Sequence, residues 1–292
     1  MEKLKIRDYP CPKIEEFDLS AIMEKDPDLA FPKAYREAES MARLSKIRKE
    51  ATGSHYARLP FSTCLESEAM GGKVNYSDQK HGVRAGDPIV EKIGDILDLP
   101  DLDFTKGTLK EALDAGRILK EDSQRLIYDI SGPITILIGL IDSKEIFVAM
   151  RKDKETLGKV YDKLKRNLLS YIEELLNIGV DVISFADPAT GVNILGEKMF
   201  IAYIDNFLVD FLPDAQKIIA DRAVFHLCPK LSYGLIDSKR ADFVPIDVDK
   251  NLTYGHALLS DEVKGKIVGQ ACLKDEGHHI KGKIKTIKLK NN

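Results

Sequence analysis

Short apolar runs alternate along this chain with longer stretches in which apolar residues return every three or four positions, a strand and helix rhythm. The runs at 59–62, 73–76, 125–130, 181–185, 223–227, 242–246, 266–269 and 284–289 read as strands, because turn-forming residues bound them. Helices are expected at 66–71, 109–118, 154–178 and 199–219, the third because Leu164, Leu168, Ile172 and Leu175 line one face. Ahead of these lies a Pro-punctuated start, then a polar helical stretch over 31–50 closed by Thr52-Gly53-Ser54. Eight strands joined by helical crossovers predict an α/β fold, a TIM (β/α)8 barrel with an N-terminal helical extension. Residues 1–57 would be a lead-in packed on a single barrel domain, 58–292.

A barrel of this kind gathers its chemistry at the C-terminal ends of its strands. Those ends carry Ser131-Gly132-Pro133, Asp187-Pro188, His226-Leu227-Cys228-Pro229, Asp247 and Cys272. His226 and Cys228 carry the most information, since alternate residues of a strand point to the same side and an imidazole and a thiolate would converge. Zn²⁺ accepts such a pair, and a third thiolate would leave one coordination position open for substrate; Cys272 is the candidate. Asp187 and Asp247 are candidate catalytic carboxylates, and an Asp at a strand end also suits capping of the next helix. Gly132-Pro133 should open a helix with Pro in its first turn.

With 292 residues, 43% of them apolar, the chain can bury a large core. Four scattered cysteines make no disulfide framework, so in a reducing compartment they are free thiols or metal ligands. No long uninterrupted apolar run and no leader-like start are visible, which points to a cytoplasmic protein without a membrane partner. A net charge of −3 with both signs interspersed gives no reason to expect nucleic acid. The alternating lysines 281, 283, 285, 288 and 290 read as a solvated edge strand. No Gly-rich phosphate loop follows a strand.

Four segments occur in a telling order: Leu59-Pro60-Phe61 with Glu68-Ala69-Met70-Gly71-Gly72; Ser131-Gly132-Pro133-Ile134-Thr135; the stretch from Gly179 through Asp187-Pro188; and His226-Leu227-Cys228. Together they resemble the uroporphyrinogen decarboxylase superfamily, and within it the methylcobamide:coenzyme M methyltransferase branch more than the decarboxylases. The resemblance implies a barrel that holds zinc through a His-x-Cys pair and a later Cys. It also implies a corrinoid, carried by a partner corrinoid protein, as the methyl donor and a small thiol such as coenzyme M as the acceptor; a homodimer is a separate expectation. The pair falls on His226 and Cys228. Only 43 residues separate Cys228 from Cys272, closer than the family's spacing, so the third ligand is either Cys272 or one of His256, His278 and His279. An acidic acceptor could face Arg58 or Arg84. The Arg-rich signature that a porphyrinogen's carboxylates would need is not found, as only Arg58 lies near 59. Two other readings remain: a metal-free decarboxylase-like or demethylase component, and a non-catalytic barrel that binds a tetrapyrrole or a corrinoid protein.

Overall fold

A computed structural model describes residues 5–12, 26, 29–76 and 82–290. The chain divides into two compact units, Glu15–Val180 and the pair of segments Met1–Ile14 and Asp181–Asn292.

The first unit runs α1 (Ala38–Thr52), β1 (Ala57–Leu59), α2 (Leu65–Ala69), β2 (Val74–Asn75), β3 (Arg84–Ala85), α3 (Gly107–Glu121), β4 (Leu126–Ser131), α4 (Pro133–Ile138), α5 (Ser143–Lys152) and α6 (Lys154–Ile178). The expected lead-in helix is α1, packed on α3 and β1 and ended by Gly53 at φ 64°, a left-handed cap that glycine adopts without strain. Strands β1 and β4 pair in parallel, with Ala57 opposite Leu126. The longest helix, α6, has the predicted bounds because both ends are marked. The Asp153 side chain accepts the Thr156 amide at 3.2 Å, and Gly179 takes φ 84°. Its stripe of Leu164, Leu168, Ile172 and Leu175 is wholly buried, each side chain contributing about 2 kcal/mol of apolar burial. Gly132 caps α4, with Pro133 in its first turn as expected. The strand expected at 73–76 departs from the reading: only β2 forms there, and it pairs antiparallel with β3 in a separate two-stranded hairpin.

The second unit runs β5 (Val182–Ala186), α7 (Val192–Tyr203), a π-helical turn (Ile204–Leu208), α8 (Val209–Ile219), β6 (Val224–Leu227), α9 (Pro229–Asp237), β7 (Ala241–Asp247), α10 (Tyr254–Ala257), β8 (Ile267–Val268) and β9 (Lys283–Leu289). Its strands lie in the order β5-β6-β8-β9-β7. All of β6 and four of the five residues of β5 are buried, which suits the continuous apolar composition of parallel strands covered on both faces. The α/β class and mostly parallel pairing agree with the sequence. One strand reverses: β9 is antiparallel to both β8 and β7. A parallel partner needs a long crossover, usually a helix, and only a 3₁₀ turn (Leu273–Asp275) lies between β8 and β9. The lysine-rich strand is solvated on alternate positions as expected, but it lies between two neighbours. The edge belongs to β7, whose Pro245 supplies no backbone donor and fits only such a position. Among the described residues no helix is long and apolar enough to cross a membrane.

Candidate active site

The His-x-Cys pair sits where β6 becomes α9. His226 is the third residue of β6, in register with Ser184 of β5 and Val268 of β8. The strand stops at Leu227, and Cys228 serves as the backbone N-cap of α9, its amide donating to Phe185 O at 2.9 Å. Pro229 follows in the first turn, so α9 begins at the strand's mouth.

Gly269, just past β8, explains how a third segment arrives there. A Cβ at this position would meet Ser232 Oγ at 2.1 Å and Leu227 O at 2.5 Å, so only glycine lets the chain pass this close to the end of β6. The following residues are then held on three sides. Tyr233 Oη donates to Gln270 O at 3.2 Å, Gln270 Oε1 accepts the Lys285 amide, and His226 Nε2 lies 3.0 Å from Ala271 O. Cys272 comes next, half-buried like Cys228.

His226 is 2% exposed. A carbonyl oxygen can only accept, so the contact with Ala271 puts the ring proton on Nε2. Nδ1 then carries a lone pair, 3.4 Å from Ser184 Oγ. Burial pushes the Cys228 thiol up to about 12; the Lys230 amide and charge pull the other way, and Cys272 and Cys11 add to the rise. Cys228 is therefore a protonated thiol at neutral pH unless a cation stands beside it. Lys230 Nζ lies near the start of α7: a Cβ on Gly191, the N-cap of that helix, would stand 3.2 Å from it.

Sequence reasoning missed a further wall of the site, the N-terminal segment. Arg7 donates to both carboxylate oxygens of Asp237 at 2.8 Å, and its guanidinium lies 4.6 Å from the Tyr233 ring centre. Tyr9 stacks on the same ring at 5.3 Å. This strap leaves the exposed Cys11 within electrostatic reach of Cys228. No sequence periodicity pairs residue 9 with residue 233, so nothing local could have announced it.

The other candidates separate. Asp187 is 1% exposed and accepts Tyr203 Oη at 2.9 Å. Its side chain makes no cap to the turn that follows, so the capping role fails. Tyr203 closes α7 directly before the π turn, an irregularity frequent at functional sites. Asp247 departs from expectation: it stands in solvent, its side chain 86% exposed, paired with Lys283 Nζ at 3.0 Å across β7 and β9. Facing water at the sheet edge, it has no place in the buried cluster. Of the alternative ligands, His256 and His279 are exposed, and His278 Nδ1 contacts Asp275 O at 2.6 Å. Arg58, in the other unit, is gripped by both oxygens of Asp129 at 2.6 and 3.0 Å.

One imidazole nitrogen able to accept and two sulfurs make a donor set that suits Zn²⁺, and the Ala271 carbonyl supplies the second hydrogen bond such a histidine usually makes. Among the described residues, no group of three His, Cys, Asp or Glu side chains is already drawn in around a common point. The chemistry of the donors fits a zinc ion, and binding would require the thiols to close on it.

A family model described as Uroporphyrinogen decarboxylase (URO-D) matches residues 20–274. The methylcobamide:CoM methyltransferase MtaA of Methanosarcina barkeri (strain Fusaro / DSM 804) is 23% identical over 268 residues, 89% of this chain and 76% of its own. The methylcobamide:CoM methyltransferase MtbA of Methanosarcina acetivorans is 23% identical over 241 residues, 82% of this chain and 70% of its own. A solved structure of a methyltransferase from Methanosarcina mazei matches with a TM-score of 0.63 at 19% identity, covering 91% of this chain and 78% of that one. The likeness at that identity is one of fold.

Proposed function

This chain belongs to the uroporphyrinogen decarboxylase family, and on that premise we propose that it is a methyltransferase carrying a methyl group from a methylated corrinoid to a small acidic thiol. The observation that carries the reading is the meeting of His226, Cys228 and the 270–272 segment at the end of β6. Relatives named as methylcobamide:CoM methyltransferases support it. In the reaction a thiolate takes the methyl, forming a C–S bond as the cobalt–carbon bond breaks and its electron pair stays with the metal of the corrinoid. The corrinoid would come on a partner protein.

His226 Nδ1, Cys228 and Cys272 would hold a zinc ion. Bound there, zinc would keep the acceptor's sulfur deprotonated at neutral pH. The chain's own residues do the rest. The Ala271 carbonyl keeps the His226 proton on Nε2, which leaves Nδ1 the acceptor that faces Ser184. Burial keeps the Cys228 thiol protonated unless a cation stands beside it, which suits a ligand and not a methyl acceptor. Lys230, at the N-terminus of α9, would receive the acceptor's acidic group beside the thiols. Asp187 holds the Tyr203 end of α7 in place. Arg58, expected as an acceptor contact, is engaged by Asp129, which also speaks against a decarboxylase binding many carboxylates.

Purified protein should carry about one zinc per chain, lost in Cys228→Ser and in Cys272→Ser. The zinc protein should demethylate methylcobalamin faster with acidic than with neutral thiols. Lys230→Gln should remove most of that difference by raising the KM for acidic thiols several-fold, as expected for one exposed ion pair. Zinc-loaded protein that leaves methylcobalamin unchanged with every thiol would overturn the reading in favour of a binding role.

A further inference from the structure

The hydrogen bonds and ring contacts of the N-terminal strap converge on one face of α9. Tyr233 and Asp237 lie four residues apart on that helix and so present neighbouring side chains. Arg7 meets Asp237 three times, from its amide at 3.0 Å and from Nε and Nη2 at 2.8 Å each, while its guanidinium covers the Tyr233 ring at 4.6 Å. Tyr9 stacks on the same ring with the two planes 12° apart. Asp237 needs such a partner. It is the last residue of α9, whose final turn holds no basic side chain, so its charge opposes the negative end of the helix dipole until Arg7 supplies a cation. Residues 5–12 belong to no helix or strand, and the Arg7 amide is bonded to a side chain rather than to a sheet. Beyond Ile6, which is buried, the strap is thus held by one ion pair with an exposed arginine and one stacked pair of rings, ties that are individually weak and reversible.

The thiol centre is close by. Tyr9 is within electrostatic reach of both Cys228 and Cys272, and Tyr233, the ring it stacks on, donates from Oη to Gln270 O at 3.2 Å. We propose that the strap is a latched cover of the thiol centre, closed by Arg7 on Asp237 and Tyr9 on Tyr233, whose lifting sets how large a reactant can reach the two sulfurs. The inference takes from the reading above only that Cys228 and Cys272 form the reacting centre. A small thiol needs little opening. A corrinoid carried on a partner protein is far larger, and for it the latch would have to release.

Two maleimides of equal chemistry and unequal size test this, N-ethylmaleimide and a polyethylene-glycol maleimide, because the ratio of their rates at one cysteine cancels that thiol's own reactivity. Full-length, metal-free protein carrying Cys11→Ala is the reference, since a label on the exposed Cys11 would itself burden the strap. Asp237→Asn keeps the shape of the side chain and removes its charge. It should raise the large-to-small ratio at Cys228 and Cys272 roughly fivefold, the size of one exposed ion pair, as read by peptide mass spectrometry of the thiols still unlabelled. Tyr9→Ala should raise it as well. Salt gives a second readout that needs no latch variant: high ionic strength should raise the ratio in the reference protein and leave it unchanged in Asp237→Asn. A ratio unmoved by both substitutions and by salt would overturn the proposal. Protein that binds no zinc or transfers no methyl group would count against the reading of the site alone, since labelling needs neither metal nor corrinoid.

Discussion

Residue by residue, the chain keeps ionisable groups where burial decides their state. Glu66, 2% exposed, is pushed up to about 7 by that burial, although Ser131 N donates to its Oε1 at 2.8 Å. In the unfolded chain a glutamate titrates near 4.3. Between those values the folded protein holds a proton that the unfolded chain has released, so Glu66 favours folding fully only below about pH 4 and loses that contribution as the pH rises through 7. Glu66→Gln keeps the acceptor for Ser131 without the charge. It should add up to about 3 kcal/mol of stability at pH 8 and little at pH 4.5, as read by urea unfolding at both pH values. A variant equally stabilised at both would remove the electrostatic explanation. Strand alternation singled out His226 and Cys228 in the sequence; in the structure His226 lies in β6, while Cys228 stands just past the strand as the N-cap of α9. Lys230 was not singled out, because a lone Lys carries no periodic signal.

Elements meet at the site through close backbone approaches more than through side-chain affinity. Gly269 is the clearest case, since β8 can reach the end of β6 only without a Cβ. Gly269→Ala sets that atom against a main-chain carbonyl, which cannot yield as a flexible side chain can. It should cost about 1–3 kcal/mol and loosen the Gln270–Cys272 segment together with its contact to His226. Thermal unfolding, with the alkylation rate of Cys272 as a second readout, checks both parts. A stability equal to wild type would show that the passage is roomier than described. The helices followed from their apolar stripes and caps, as α6 shows. The direction of β9 did not, because direction depends on what joins two strands, and a 3₁₀ turn is hard to tell from the start of a helix by composition.

For the whole molecule, metal binding should be linked to both stability and pH. A ligand that binds only the folded state raises the unfolding free energy with its concentration, so zinc should raise the thermal midpoint in wild type and much less in Cys228→Ser. Because the Cys228 thiol is held at about 12, each metal bound there must displace its proton. Apparent zinc affinity should therefore climb about tenfold per pH unit for that proton between pH 6 and 8, as measured by chelator competition. An affinity independent of pH would remove Cys228 from the ligand set.

From its order of residues alone, the chain determined its α/β class, most of its helices, the parallel strands β4, β5 and β6, and the placing of an imidazole and a thiol together at one strand end. Those properties depend on spacing, and spacing is written in one dimension. Tertiary structure decided the rest. It sent Asp247 to a solvent-facing ion pair, buried Asp187 against Tyr203, and laid Arg7 and Tyr9 against Tyr233. Each of these joins positions far apart along the chain, where burial and the shape of what is already packed, not periodicity, select the partner.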